Sequence, residues 1–312
     1  MTNSMIAREK SIIKRRRTKL TGGDRIYLGC VYLLLFMFMA AVIYPLIYVV
    51  SCSFSSPEVL VQGQVFFLPV KPTLQGYQAV FRNPSIWRGY YNTIVYTVSG
   101  TIIGTIATFI AAYVLSRKEF PIRKILTTFF MITMFFGGGT IPTYLWLRKL
   151  HMYNTIWAII LPGAVNVWMV MVGKTFIQTT IPEELFEATC LDGGSYMQYF
   201  TRIMLPLSKP ILAVIALNFA LGLWNSYYSA LLYLSDASKY PLQIILRDIL
   251  IQNTMDLNKM AGRDVTSQLH RQYLSELLKY SLIIVSSLPL LIVYPFIQKY
   301  FIKGVMIGSL KG

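Results

Sequence analysis

The sequence predicts an all-α membrane protein with six transmembrane helices and both termini in the cytoplasm. Three observations carry that expectation. Only 13% of the 312 residues are charged while 55% are hydrophobic, too few charges for a soluble domain of this size. Six stretches hold no Asp, Glu, Lys or Arg, and each is close to or above the ~20 residues a helix needs to cross the hydrocarbon core. The basic residues fall between these stretches and are unequally shared between the two sides.

Residues 1–25 contain eight Lys or Arg, among them Lys14-Arg15-Arg16-Arg17. They read as a cytoplasmic tail, disordered or lying on the membrane surface. A secretory leader also begins with basic residues, but the charge-free run over 26–57 is longer than a leader's apolar core. It reads as the first span, kinked near Pro45. The other spans are expected at 89–116, 125–147, 152–173, 210–235 and 280–298. With the N-terminus inside, 18 of the 29 Lys and Arg are cytoplasmic. Five of the remaining 11 lie in the long loop 236–278, where the rule discriminates less. The membrane domain then runs over 26–303, with a cytoplasmic loop at 181–206 and a cytoplasmic C-terminal tail at 304–312. The net charge of +16 suits lipid headgroups rather than nucleic acid, because it is spread through loops.

Two outer segments are large. Residues 53–88 are rich in Pro and aromatics. Residues 240–250 have helical periodicity with one polar edge, which suits either a helix on the outer membrane face, as a docking ledge, or a plain amphipathic connector. No repeat of 20–50 residues is present. Cys30, Cys52 and Cys190 have no paired or metal-ligand spacing, and His151 and His270 stand apart, so neither a metal nor another cofactor is expected.

The stretch 182–206 is the longest polar interruption in the second half of the chain. Pro182 can open a helix, where its missing N–H costs nothing. Glu183, Glu184 and Glu187 suit the positive end of the helix dipole. Gly193 and Gly194 supply a left-handed exit. Glu184 and Glu187 share a face, as do Glu187 and Leu191. Carboxylates beside an apolar knob fit a groove on a soluble partner; an ordinary capped loop helix fits the same residues.

Over 210–235 the candidates for a solute pathway are Asn218, Trp224, Asn225, Tyr227 and Tyr228, with Ser226. Amides at membrane depth need protein or water partners. Aromatic faces beside amides and hydroxyls match the C–H faces and hydroxyls of sugars. The competing reading is an interfacial aromatic belt with Asn joining helices. Asn92-Thr93 and Asn166-Trp168 are weaker candidates of the same kind. Gly137-Gly138-Gly139 with Pro142 breaks the third run and marks either close packing or a flexible gate.

Several chemistries are missing. Gly173-Lys174-Thr175 resembles the end of a phosphate loop, but Trp168 stands where the first glycine belongs. No carboxylate or Lys lies within the six apolar runs, where ion-driven transporters carry their coupling charges. A membrane-embedded enzyme would need catalytic groups at that depth. The chain is therefore expected to be no enzyme and to take its energy from elsewhere.

Glu187-Ala188-Thr189, Gly193, Ile203 and Leu205-Pro206 resemble the signature loop of permease subunits of ATP-binding-cassette (ABC) importers: Glu-Ala-Ala, three residues, Gly, nine residues, Ile, one residue, Leu-Pro. Thr189 replaces the second Ala. The six spans, Leu223-Trp224-Asn225 and the ending Lys303-Gly304-Val305 to Lys311-Gly312 resemble the MalG branch of carbohydrate importers. The segment 136–143 is similar to the LplC and YtcP group of oligosaccharide permeases.

The resemblance implies a type I ABC importer permease fold in a bacterial cell membrane. It implies a heterodimer with a second homologous permease, two cytoplasmic ATP-binding subunits and an extracellular solute-binding lipoprotein. It implies an oligosaccharide substrate, including polysaccharide-derived ones, with Glu184, Glu187, Ala188, Leu191, Asp192 and Gly193 coupling to the ATPase. A permease of the same architecture for amino acids, phosphate or metals is the alternative; the uncharged fifth run favours a neutral solute.

Overall fold

The structure, a computed structural model, describes residues 21–259, 278–292 and 294–295. The basic tail up to Leu20, the segment 304–312, His270 and the end of the sixth run lie outside them. Among the described residues all regular structure is helical.

Helix α1 (Gly22–Ser53) opens on a capping box. The Thr21 N–H donates to Asp24 Oδ2 at 2.9 Å and the Asp24 N–H donates to Thr21 Oγ1 at 3.4 Å. Within α1 only Ser51, Cys52 and Ser53, at its end, are buried. A helix that is apolar on all sides and uncovered by its own chain suits lipid or another subunit. Helices α2 (Pro57–Val61) and α3 (Gln75–Arg82) follow in the loop before the second run.

Helix α4 (Pro84–Ser116) is the hub. Asn83 Oδ1 accepts from the Ser85 N–H at 3.0 Å to start it. Its 33 residues rise about 50 Å, enough to cross a bilayer with ends to spare. Helix α5 (Arg123–Phe135) packs on it and buries none of its own residues. Helices α6 (Thr140–Lys149), α7 (Trp157–Gly163) and α8 (Val167–Thr180) come next. Then come α9 (Glu184–Leu191), α10 (Tyr196–Leu207), α11 (Lys209–Trp224), α12 (Tyr228–Tyr233), α13 (Leu242–Lys259) and α14 (Leu278–Ile292). Helices α8, α11 and α13 all pack against α4. The α4–α11 crossing needs glycine: a Cβ on Gly104 would stand 2.6 Å from Phe219 Cε1, and one on Gly100 2.5 Å from Leu223 Cδ1.

Among the described residues, not every expected run is one straight helix. Among the described residues α1 and α4 are each long and apolar enough to cross a membrane, and bent pairs bring the number to at most five. The third run bends by 113° between α5 and α6, where Gly139 takes φ +85°. The fourth bends by 47° between α7 and α8, and α10 meets α11 at 77°. Apolar content sets how much chain lipid accepts; it does not set direction, which turns here on glycine, proline and capping side chains.

The segment before α13 is clamped onto the N-terminal half of α4. Asn92 Nδ2 donates to the carbonyls of Ser238 (2.9 Å) and Tyr240 (3.0 Å), and the Tyr96 hydroxyl donates to that of Lys239 (2.7 Å). The Leu242 N–H donates to Thr93 Oγ1 at 2.8 Å. Helix α13 buries Leu242, Ile245 and Leu246 against Val80, Ile86, Leu282 and Val285. Through these residues it is part of the packed body.

Candidate functional site

The acidic helix α9 sits at the C-terminal end of α4. It opens through a tight turn in which the Phe186 N–H donates to Glu183 O at 2.9 Å. Pro182 stands one residue before the Glu183 cap rather than at the first helical position. The exit is a Schellman motif: the Gly194 N–H donates to Thr189 O (2.8 Å), the Gly193 N–H donates to Cys190 O (3.0 Å), and Gly193 takes φ +73°. Gly194 is not left-handed. Its role is close approach, since a Cβ there would stand 2.6 Å from Thr189 Cγ2.

Glu184, Glu187, Ala188, Leu191, Asp192 and Gly193 are all exposed. Leu191 is 90% exposed, an unusual placement for so apolar a side chain at a helix end. Glu184, Glu187, Ala188 and Leu191 share one face at helical spacing. The opposite face holds the helix down. Phe186 is buried, its ring 5.1 Å from that of Tyr199 and 5.2 Å from that of Tyr196. The Arg117 guanidinium lies 3.9 Å from the centre of the Phe186 ring. Arg117 also donates through Nε and Nη2 to the two Glu119 carboxylate oxygens at 3.2 and 2.9 Å. Burial raises the pKa of Glu119, but its own backbone N–H and Arg117 outweigh this and hold the carboxyl below its usual range. Lys118 pairs with Glu183, and Gln178 Nε2 donates to Ser116 O at 3.2 Å. Sequence reasoning missed Arg117 and Phe186. The available signal was a basic pair directly after a charge-free run, with one aromatic on the apolar side of an acidic helix.

Further along α4 toward its N-terminus, a cavity of about 500 Å³ opens between α7, α8, α11 and α12. Asn166, Asn218, Asn225, Ser226, Tyr227 and Tyr228 line it, with Gly100 of α4 behind. Asn166 caps α8, its Oδ1 accepting from the Met169 N–H at 3.1 Å, and its Nδ2 donates to Asn218 Oδ1 at 3.3 Å. Asn225 caps the end of α11, its Nδ2 donating to Leu221 O at 2.9 Å. The Arg247 guanidinium lies 5.9 Å from the Tyr227 ring. The Tyr228 hydroxyl stands 3.4 Å from Thr140 Oγ1 on α6. The lining combines amides, hydroxyls and aromatic rings with aliphatic groups of Ile159, Ile160, Pro162 and Leu223, and holds no carboxylate or ammonium group among its residues.

The sequence candidates separate here. Asn218, Asn225, Tyr227 and Tyr228 come together, and Asn166, a weaker candidate, joins them. Trp224 does not line the cavity: it is buried, its indole N–H 3.4 Å from Ser286 O and its ring 6.3 Å from that of Tyr90. Asn225 ends the helix and sends the chain inward, while Trp224 sits on the protein-facing side one residue earlier. Asn92 and Thr93 are spent on the outer clamp.

No family model matches the chain. It is 38% identical over 292 residues to Protein LplC of Bacillus subtilis (strain 168), covering 94% of this chain and 97% of that one. It is 35% identical over 292 residues to the polygalacturonan/rhamnogalacturonan transport system permease protein YtcP of the same organism, covering 93% and 99%. In structure it is similar to a chain of a bacterial ABC transporter involved in the import of the acidic polysaccharide alginate, with a TM-score of 0.81 and 31% identity over 91% of this chain and 99% of that one. With near-full-length identity above 30% to a named transport permease and to a chain of an ABC importer of the same helical architecture, the chain belongs to the permease subunits of ABC sugar importers, transport proteins of the plasma membrane.

Proposed function

We propose that this chain forms half of the translocation pathway of an ATP-driven oligosaccharide importer and takes its energy from a separate ATPase. The carrying observation is the face made by Glu184, Glu187, Ala188 and Leu191. It is fully exposed while the opposite side of the same short helix is locked into the body by Phe186. A surface helix that leaves a Leu 90% exposed lacks its cover, and a groove on an ATP-binding subunit supplies one. Asp192 and Gly193 then fix the angle at which that face is presented.

Six spans with both termini cytoplasmic remain the topology that best accommodates the charge distribution, the membrane domain being 26–303 between the tails 1–25 and 304–312. Arg117 and Gly100 are separated by about 25 Å along α4, so α9 and the cavity belong to different depths. An open, half-built cavity calls for a second homologous permease to complete it, and an extracellular solute-binding lipoprotein to fill it.

Amides, hydroxyls and tyrosine rings without a charged group favour a neutral oligosaccharide. The names of YtcP and of the alginate importer favour an acidic one, and Arg247 behind Tyr227 gives that second reading a foothold. The assembled complex in proteoliposomes decides. ATP-dependent uptake of raffinose without uptake of an oligogalacturonide is expected. Uptake of the oligogalacturonide alone would establish the acidic reading, and uptake independent of ATP would overturn the proposal as a whole.

A further inference from the structure

The route by which α9 acts on the cavity is written in one junction. Helix α4 carries both ends of it. At its middle Gly100 lines the cavity, and Gly100 and Gly104 seat Leu223 and Phe219 of α11, the helix that carries Asn218 and ends in Asn225. At its C-terminal end, three consecutive residues make the contacts with α8 and α9. Ser116 accepts from Gln178 of α8 through its carbonyl, Lys118 pairs with Glu183, and Arg117 stacks on Phe186.

These contacts are unequal. The Lys118 side chain is 68% exposed, so that pair is screened and weak. The Arg117 side chain is only 12% exposed, and a desolvated guanidinium over a ring is a stronger contact. It is also geometrically exacting. The planar group lies over Phe186 while its edge is held by both oxygens of Glu119. Lysine has neither the plane nor the fork.

We infer that Arg117 is a positioning residue for transport: it keys the acidic helix to α4, so that α9 and the cavity-lining hub move as one body. This rests on the coupling reading above. Without the key, Phe186 remains in its socket of Tyr196 and Tyr199, but a pull on α9 is taken up at the junction rather than delivered to α4.

Spin labels test this on the full complex of this chain with its partner permease and ATPase. One label goes on Cys190, which is exposed and lies about 60° around the helix from Glu187, the nearest in angle of the four docking-face residues. The other goes on Ile110→Cys, on an exposed face of α4, in a chain carrying Cys30→Ser. In the otherwise wild-type complex the inter-label distance is expected to be the same nucleotide-free and after trapping with ATP and vanadate. In Arg117→Lys the ATPase still co-purifies, yet trapping shifts or broadens the distance. Uptake per ATP hydrolysed, read with raffinose or oligogalacturonide as the preceding assay selects, falls about tenfold, equivalent to ~1.4 kcal/mol.

An unchanged distance and an unchanged ratio in Arg117→Lys would overturn the inference. So would a wild-type distance that shifts on trapping, or loss of the ATPase in Arg117→Lys alone, which would make Arg117 a folding residue. Failure of the unsubstituted chain to hold any ATPase would instead overturn the coupling reading, and this inference with it.

Discussion

The two ends of α4 are built on opposite plans. At its C-terminal end, the proposed docking face is local. One eight-residue helix presents four neighbouring side chains outward, and a single ring on its back face fixes it. From its middle toward its N-terminus, the candidate cavity and the clamp are assembled. Asn166, Asn218 and the 225–228 segment come from separate parts of the chain, and the clamp by Asn92, Thr93 and Tyr96 holds the adjacent outer segment still. A docking helix needs exposure and a stiff root, whereas a cavity needs convergence. The first can be written in consecutive residues; the second can only be made by packing.

The comparison is broken most severely by Glu187→Lys. On the proposed docking it reverses the charge of a carboxylate that faces the ATPase, a cost of about 3 kcal/mol or on the order of 100-fold. ATP-driven uptake should collapse while the cavity end keeps its structure, checked by uptake together with circular dichroism of the purified chain. Wild-type uptake would remove Glu187 from the docking face.

Gly104→Ala attacks the link between the ends rather than either end. Its Cβ meets the Phe219 ring at 2.6 to 2.8 Å, and such overpacking costs about 1–3 kcal/mol. The melting temperature of the detergent-solubilised complex should drop. An unchanged melting temperature would mean that α4 and α11 are not in the tight contact described.

Asn225→Leu sharpens the contrast from the cavity side. Removing one amide proposed to pair with solute hydroxyls should lower uptake about tenfold, ~1.4 kcal/mol, with ATPase assembly intact by co-purification. Trp224→Phe is its control and the smallest effect. It loses one long N–H bond, worth less than about 1 kcal/mol, and should leave the preference among sugars unchanged. A changed preference would return Trp224 to the pathway.

The sequence was most readable where function is local. The two glycines after α9 announced its end, the acidic first turn announced its beginning, and the spacing of Glu187, Gly193 and Leu205-Pro206 located the element. The charge-free runs located α1 and α4 for the same reason: lipid excludes charge residue by residue. Direction was less readable. The glycines at 137–139 gave notice of the 113° bend; Pro162-Gly163 before Asn166 and Pro206 and Pro210 around Ser208 mark the other two turns without setting their angles. At 224–225 two adjacent candidates diverge because the helix ends between them. Arg117 and Phe186 lie 69 residues apart, and no local pattern reports a contact between them.

The central claim is that the exposed face of α9 is gripped from the cytoplasm by a nucleotide-hydrolysing subunit. A photo-reactive amino acid in place of Leu191, activated in membranes holding the assembled transporter and followed by mass spectrometry, tests it most directly. Cross-links to an ATP-binding subunit are the result predicted. Cross-links only to the extracellular binding protein, or to lipid alone, would contradict it.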